Sequence, residues 1–143
     1  KNGDRGFLSR DITVSTMIQN QGDIHHIYPR KFLKSQGLSR TKYNQIANYA
    51  MTQSEINIAI GAKDPDKYFA EIIKQIETGK LKYGGIKDEA ELKKNFEENC
   101  IPTAMLKSGV MDYDDFLRDR RVLMAMKMKK YFQSLGEVEM ETE

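Results

Sequence analysis

At 143 residues the chain is long enough for one domain with a modest core, and 23 Lys and Arg against 21 Asp and Glu leave a net charge of only +2. No run of 18 apolar residues and no charged-then-apolar start occurs, so neither a membrane span nor secretion is supported, and a soluble cytoplasmic protein is expected. One cysteine, Cys100, excludes an internal disulfide and, beside only two histidines, a closed four-ligand zinc site; it reads as a small buried hydrophobe.

The charge is unevenly spread. Between Ile24 and Ser54 there is no Asp or Glu, while Arg30, Lys31, Lys34, Arg40 and Lys42 all fall there. A local excess of positive charge favours a polyanion such as a nucleic-acid backbone, although a solvated basic face has the same composition.

In chain order, Lys-Asn-Gly-Asp-Arg-Gly opens without an initiator methionine, which leads us to expect a fragment of a longer chain. Residues 7–21 fit neither the helical nor the strand period, so an irregular segment with a short helix or strand is expected. Gln21-Gly22-Asp23 is a turn signal. It leads into Asp-Ile-His-His-Ile-Tyr-Pro, where His25 and His26 sit in an apolar frame that Pro29 ends, because proline has no amide hydrogen for a ladder. A short strand is therefore predicted, then short helices over 30–36, stopped by Gly37, and from Ser39 to about residue 46. Residues 48–52 return as a second strand. A helix over 53–60 follows, with Thr52 and Glu55 spaced as a capping box, Ser54 as the alternative cap and Gly61 as a left-handed stop.

Asp64-Pro65 opens the next helix, whose Tyr68, Phe69, Ile72, Ile73 and Ile76 form a core stripe, and Gly79 closes it. Residues 80–87 read as a loop and Asp88 as the cap of a helix over 89–99. The last helix is predicted over about 112–135, with Tyr113, Phe116, Leu117, Leu123, Met124, Met128, Tyr131, Phe132 and Leu135 on one broad face and Gly136 as its end. Met124, Met126 and Met128 read as adaptable core filling. The Glu-rich residues 137–143 are expected to be an acidic disordered tail.

His-His-Ile-Tyr-Pro, then Asn48, then Asn57 nine residues on, resembles the His/Asn/Asn form of the HNH motif of ββα-metal nucleases. The closer resemblance is to the C-terminal nuclease domain of GmrSD-type modification-dependent restriction endonucleases. It draws also on Arg-Gly-Phe-Leu-Ser near the start, on residues 61–69, and on residues 116–135. The resemblance implies an α+β fold: a ββα-metal core over 23–62 with a two-stranded antiparallel hairpin, helical support over 64–136, and one HNH domain over 1–136.

It also implies roles. His26 would be the general base, His25 and Asn57 the ligands of one divalent metal, and Asn48 a brace that orients the base. Hydrolysis of a phosphodiester needs a water relieved of a proton, charge stabilisation on the phosphate and help for the leaving oxygen; an imidazole serves the first need and a cation the others. Magnesium is the first expectation, and an imidazole ligand with an amide oxygen also admits manganese, nickel or zinc. Asp23 is an extra candidate ligand. Arg30, Lys31, Lys34, Arg40 and Lys42 are candidate DNA phosphate contacts, with Arg5 and Arg10 beside them. The setting implied is bacterial restriction and phage defence, with NTP-using and target-sensing portions upstream of this fragment. Two other classes compete: a nucleic-acid-binding module that keeps the fold without turnover, and a helical interaction domain that docks through its last helix.

Overall fold

In the computed structural model, residues 3–19, 22–106 and 110–142 are described, so Gln21 of the expected turn lies outside them. The architecture is α+β: a two-stranded antiparallel hairpin among helices. The N-terminal segment resolves into a bridge between Arg5 and Thr13 and a helix α1 over Val14–Gln19, whose first turn is capped by Thr13 Oγ1 accepting the Thr16 amide at 3.2 Å.

Strand β1, Asp23–His26, pairs with β2, Tyr49–Thr52, in the register Asp23↔Thr52, Ile24↔Met51, His25↔Ala50 and His26↔Tyr49. Residues directly opposite share a face of the pleat, so His25 goes with Ala50 toward the core and His26 with Tyr49 to the other side. Between the strands run α2, Arg30–Ser35, and α3, Arg40–Tyr43, the latter ending three residues earlier than the sequence implies. A single 3-10 turn, Ile46–Asn48, then leads into β2, and Asn48 belongs to that turn rather than to the strand.

Helix α4, Ser54–Ile60, follows β2 directly. The expected capping box does not form. Thr52 is fully buried, and its hydroxyl donates to Phe7 O at 2.8 Å, which ties the N-terminal loop to the hairpin instead of capping the helix. Gly61 ends α4 at positive φ, but with ψ of −130° it is not a left-handed helical cap.

Helix α5, Pro65–Thr78, matches its signals: the Asp64 carboxylate accepts the Asp66 amide at 2.9 Å, and Gly79 closes the helix with φ of 74°. Tyr68, Phe69 and Ile72 are buried, and the Tyr68 hydroxyl donates to Ile27 O, pinning the chain just past β1. Gln75, buried on the same helix, accepts the amides of Lys82 and Tyr83 and donates to the carbonyls of Tyr83 and Ile86, so the loop after α5 is held by one side chain. Helix α6, Glu89–Glu98, contributes the buried Leu92 and Phe96. Its Asn95 accepts Leu8 N and donates to Gly6 O and Ser9 O, doing for the N-terminal loop what Gln75 does for the later one.

Helix α7, Tyr113–Thr142, departs most from expectation. It runs through Gly136, the expected end, to Thr142. Its predicted face is buried only in the first two turns, at Tyr113, Phe116 and Leu117, where Arg120, not part of that face, is buried beside them. Met126, Met128, Phe132 and Leu135 are exposed, and of the three expected core methionines only Met124 packs against the core. Cys100 is buried, as its isolation implied. No helix among the described residues is long and apolar enough to cross a membrane.

Candidate functional site

The end of β1, the start of α2 and the first half of α4 enclose a cleft of about 410 Å³ lined by Ile24, His25, His26, Arg30, Lys31 and Asn57 among others. Because β1 ends at His26 and the chain turns toward Pro29, two side chains from opposite faces of the pleat both reach this cleft.

His25 is the buried member, 3% exposed, its ring stacked on Phe7 at 5.7 Å between centroids and edge-on to Tyr68 at 6.3 Å. Its Nδ1 lies 2.8 Å from Asn57 Oδ1. An amide oxygen only accepts, so Nδ1 carries the hydrogen here, while Nε2 is buried without a hydrogen-bond partner among the described residues. Asn57 in turn donates from Nδ2 to Asp23 Oδ2 at 3.1 Å, which directs its oxygen at the imidazole. Helix α4 supplies this geometry by presenting Asn57 one turn from its N-terminus, opposite β1.

Burial pulls the pKa of His25 down to about 4, against the smaller raising effect of its bond to Asn57, with the neighbouring His26 adding to the lowering. The ring is thus neutral at pH 7, as a metal ligand must be. In the unfolded chain it titrates near 6.5, so the folded protein binds the weaker proton. The stability this represents is fully present above pH 6.5, is lost as pH falls toward 4, and is flat below that. The gap corresponds to roughly 3 kcal/mol. Urea midpoints at pH 7 and pH 5 should therefore separate more for the natural chain than for His25→Gln; equal separation in both would show that this ring does not carry the pH dependence.

His26 is half-buried. Its Nε2 lies 3.0 Å from Asn44 Oδ1, and its ring packs edge-on against Tyr49 at 4.9 Å. Asn48 is fully buried behind the cleft: Oδ1 accepts Tyr28 N at 2.8 Å, and Nδ2 donates to Tyr28 O at 3.0 Å and to Tyr43 O at 3.3 Å. Among the described residues its side chain hydrogen-bonds to neither histidine; it ties the backbone just past them, at Tyr28, to Tyr43 in the connection.

Of the basic residues named from the sequence, Arg30 and Lys31 line the cleft, while Lys34, Arg40 and Lys42 are exposed on α2 and α3 without lining it. Arg5 pairs with Glu98 at 3.4 Å and Arg10 lies 3.9 Å from Glu91, so both are engaged with α6. Among the described residues no three His, Cys, Asp or Glu side chains cluster as a metal site; the side chains that come together here are His25, Asn57 and the Asp23 carboxylate.

Four contributors were not assigned to the site from the sequence: Asn44, Tyr49, the ring of Phe7, and Tyr68, which was read only as core. Asn44 and Tyr49 reach His26 only because β2 returns antiparallel to β1, and the residue types of a polar connection carry no signal of that. No protein-family model, curated protein or solved structure matches the chain.

Proposed function

We propose that this domain is a ββα-metal nuclease of the HNH type, hydrolysing DNA phosphodiester bonds with one divalent cation held by His25 and Asn57. The observation that carries the reading is the 2.8 Å convergence of His25 Nδ1 and Asn57 Oδ1, from a strand and the helix after the hairpin, with His26 beside them on the cleft wall. The residues fit a cation. One donor is an imidazole that burial keeps neutral, the other an amide oxygen already aimed at it; to hold an ion together, Nδ1 would give up its hydrogen to Nε2, a nitrogen without a partner among the described residues, and the ring and amide would part enough to admit the ion. Such an ion, magnesium first and manganese, nickel or zinc by ligand type, supplies charge stabilisation for the phosphate and the departing oxygen.

The remaining work falls to the chain. His26 takes the proton of the attacking water; Arg30 and Lys31 neutralise phosphates at the mouth of the cleft; Asn48 keeps the strand end and the connection behind it in register. Within a larger restriction or phage-defence protein, the target-sensing and NTP-using steps would belong to portions outside this sequence.

Supercoiled plasmid incubated with magnesium, manganese or nickel should be nicked, and chelator should stop the nicking; a gel shift on the same DNA completes the test. Retention on DNA with no nicking under any metal would leave a binding module. Absence of both would favour a helical interaction domain, the reading to which the exposed Val122, Met126, Met128 and Phe132 on α7 lend support.

A further inference from the structure

We infer that Asn44 is the positioning residue that orients His26, and that Asn48 and Tyr113 act on His26 through it; this inference rests on the nuclease reading of the cleft. Asn44 Oδ1 sits 3.0 Å from His26 Nε2. Since an amide oxygen has no hydrogen to give, Nε2 bears the proton and donates, which leaves the lone pair on Nδ1. That nitrogen has no protein partner among the described residues and is the one able to accept a proton from water. Tyr49, edge-on at an interplanar angle of 80°, restrains the ring plane, but an aromatic edge does not distinguish the two ring nitrogens. Only the contact with Asn44 does.

Asn44 is itself held. Its amide donates to Arg40 O at 3.0 Å, ending α3. The carbonyl of the preceding residue, Tyr43 O, accepts from Asn48 Nδ2 at 3.3 Å and from the Tyr113 hydroxyl at 3.5 Å, and that hydroxyl also donates to Lys42 O at 2.8 Å. Asn48 bonds at the same time to both backbone groups of Tyr28, two residues past His26. One buried amide therefore sets the distance between the strand end that carries the imidazole and the loop that carries its partner. Tyr113, from α7, makes the C-terminal helix part of the same arrangement. Without the Asn44 oxygen the ring would be free to turn over about its broad χ2 well and exchange the positions of its two nitrogens.

The test compares Asn44→Ala with Asn44→Asp, which keeps an acceptor oxygen in the same place. Asn44→Ala should lower kcat on plasmid DNA about 10- to 100-fold, with KM, manganese affinity and the urea midpoint nearly unchanged, and Asn44→Asp should recover most of the loss. Nitrogen-15 shifts of His26, read without metal or DNA, should report one Nε2-protonated tautomer in the natural chain and a mixture in Asn44→Ala. An Nδ1-protonated ring in the natural chain, a full kcat in Asn44→Ala, or Asn44→Asp no better than Asn44→Ala would overturn the inference. If the natural chain cleaves no DNA, the nuclease reading fails, and the nitrogen shifts alone decide the role of Asn44.

Discussion

His26→Ala is expected to reduce plasmid cleavage by about 10²- to 10⁴-fold, the range over which a positioned general base contributes, while DNA retention in a gel shift and the urea midpoint stay close to those of the natural chain. The selectivity follows from the geometry. His26 is half-buried, and among the described residues its ring hydrogen-bonds to the Asn44 oxygen, packs on the Tyr49 edge and makes no hydrogen bond to His25 or Asn57. Removing its ring therefore deletes a proton acceptor without opening the core or touching the ligand atoms. Undiminished metal-dependent cleavage after this change would end the assignment of His26 as the base, and a comparable fall in DNA retention would mean that the ring holds substrate instead.

What the sequence disclosed and what it withheld divide along the range of the interactions involved. Asp64-Pro65 with Gly79 and Asp88 before α6 carry their own hydrogen-bonding logic within a few residues, and both helices form where those residues place them. The hairpin was readable because the histidine segment and the segment after Asn48 are each apolar and bounded by turn chemistry, and pairing them brings His25 opposite Ala50. Thr52 shows the limit. Its spacing to Glu55 is that of a cap, yet a buried carbonyl at Phe7, 45 residues away in sequence, takes its hydroxyl, because an unpaired backbone oxygen in the core costs more than a surface helix end that water can solvate. Helix α7 shows another. Periodicity marks Met128, Phe132 and Leu135 as a face but cannot say where the rest of the domain stops, and the domain stops before them.

Arg120 is the residue for which this limit matters most, since nothing in Arg-Asp-Arg-Arg distinguishes it from its exposed neighbours, yet it is 5% exposed. Its guanidinium donates to Ala47 O at 2.8 Å, Tyr49 O at 2.6 Å and Asn99 O at 3.0 Å, with no carboxylate in ion-pair range among the described residues, and burial pulls its pKa down to about 10. Two effects oppose each other in Arg120→Met. Deleting a desolvated charge is favourable by several kcal/mol, whereas stranding the buried Ala47 and Asn99 carbonyls and the part-buried Tyr49 carbonyl costs about 1–3 kcal/mol each, and the carbonyl dipoles already offset much of the first. The second should win, by about 3 kcal/mol in urea unfolding. The loss should also reach the cleft, because the carbonyls of Ala47 and Tyr49 flank Asn48 and set the start of β2, on which the Tyr49 ring beside His26 depends. Arg120→Lys, which keeps the charge but replaces a planar fork with a single point donor, should fall between the two. A methionine variant as stable as the natural chain would mean that water reaches those carbonyls once the guanidinium is gone.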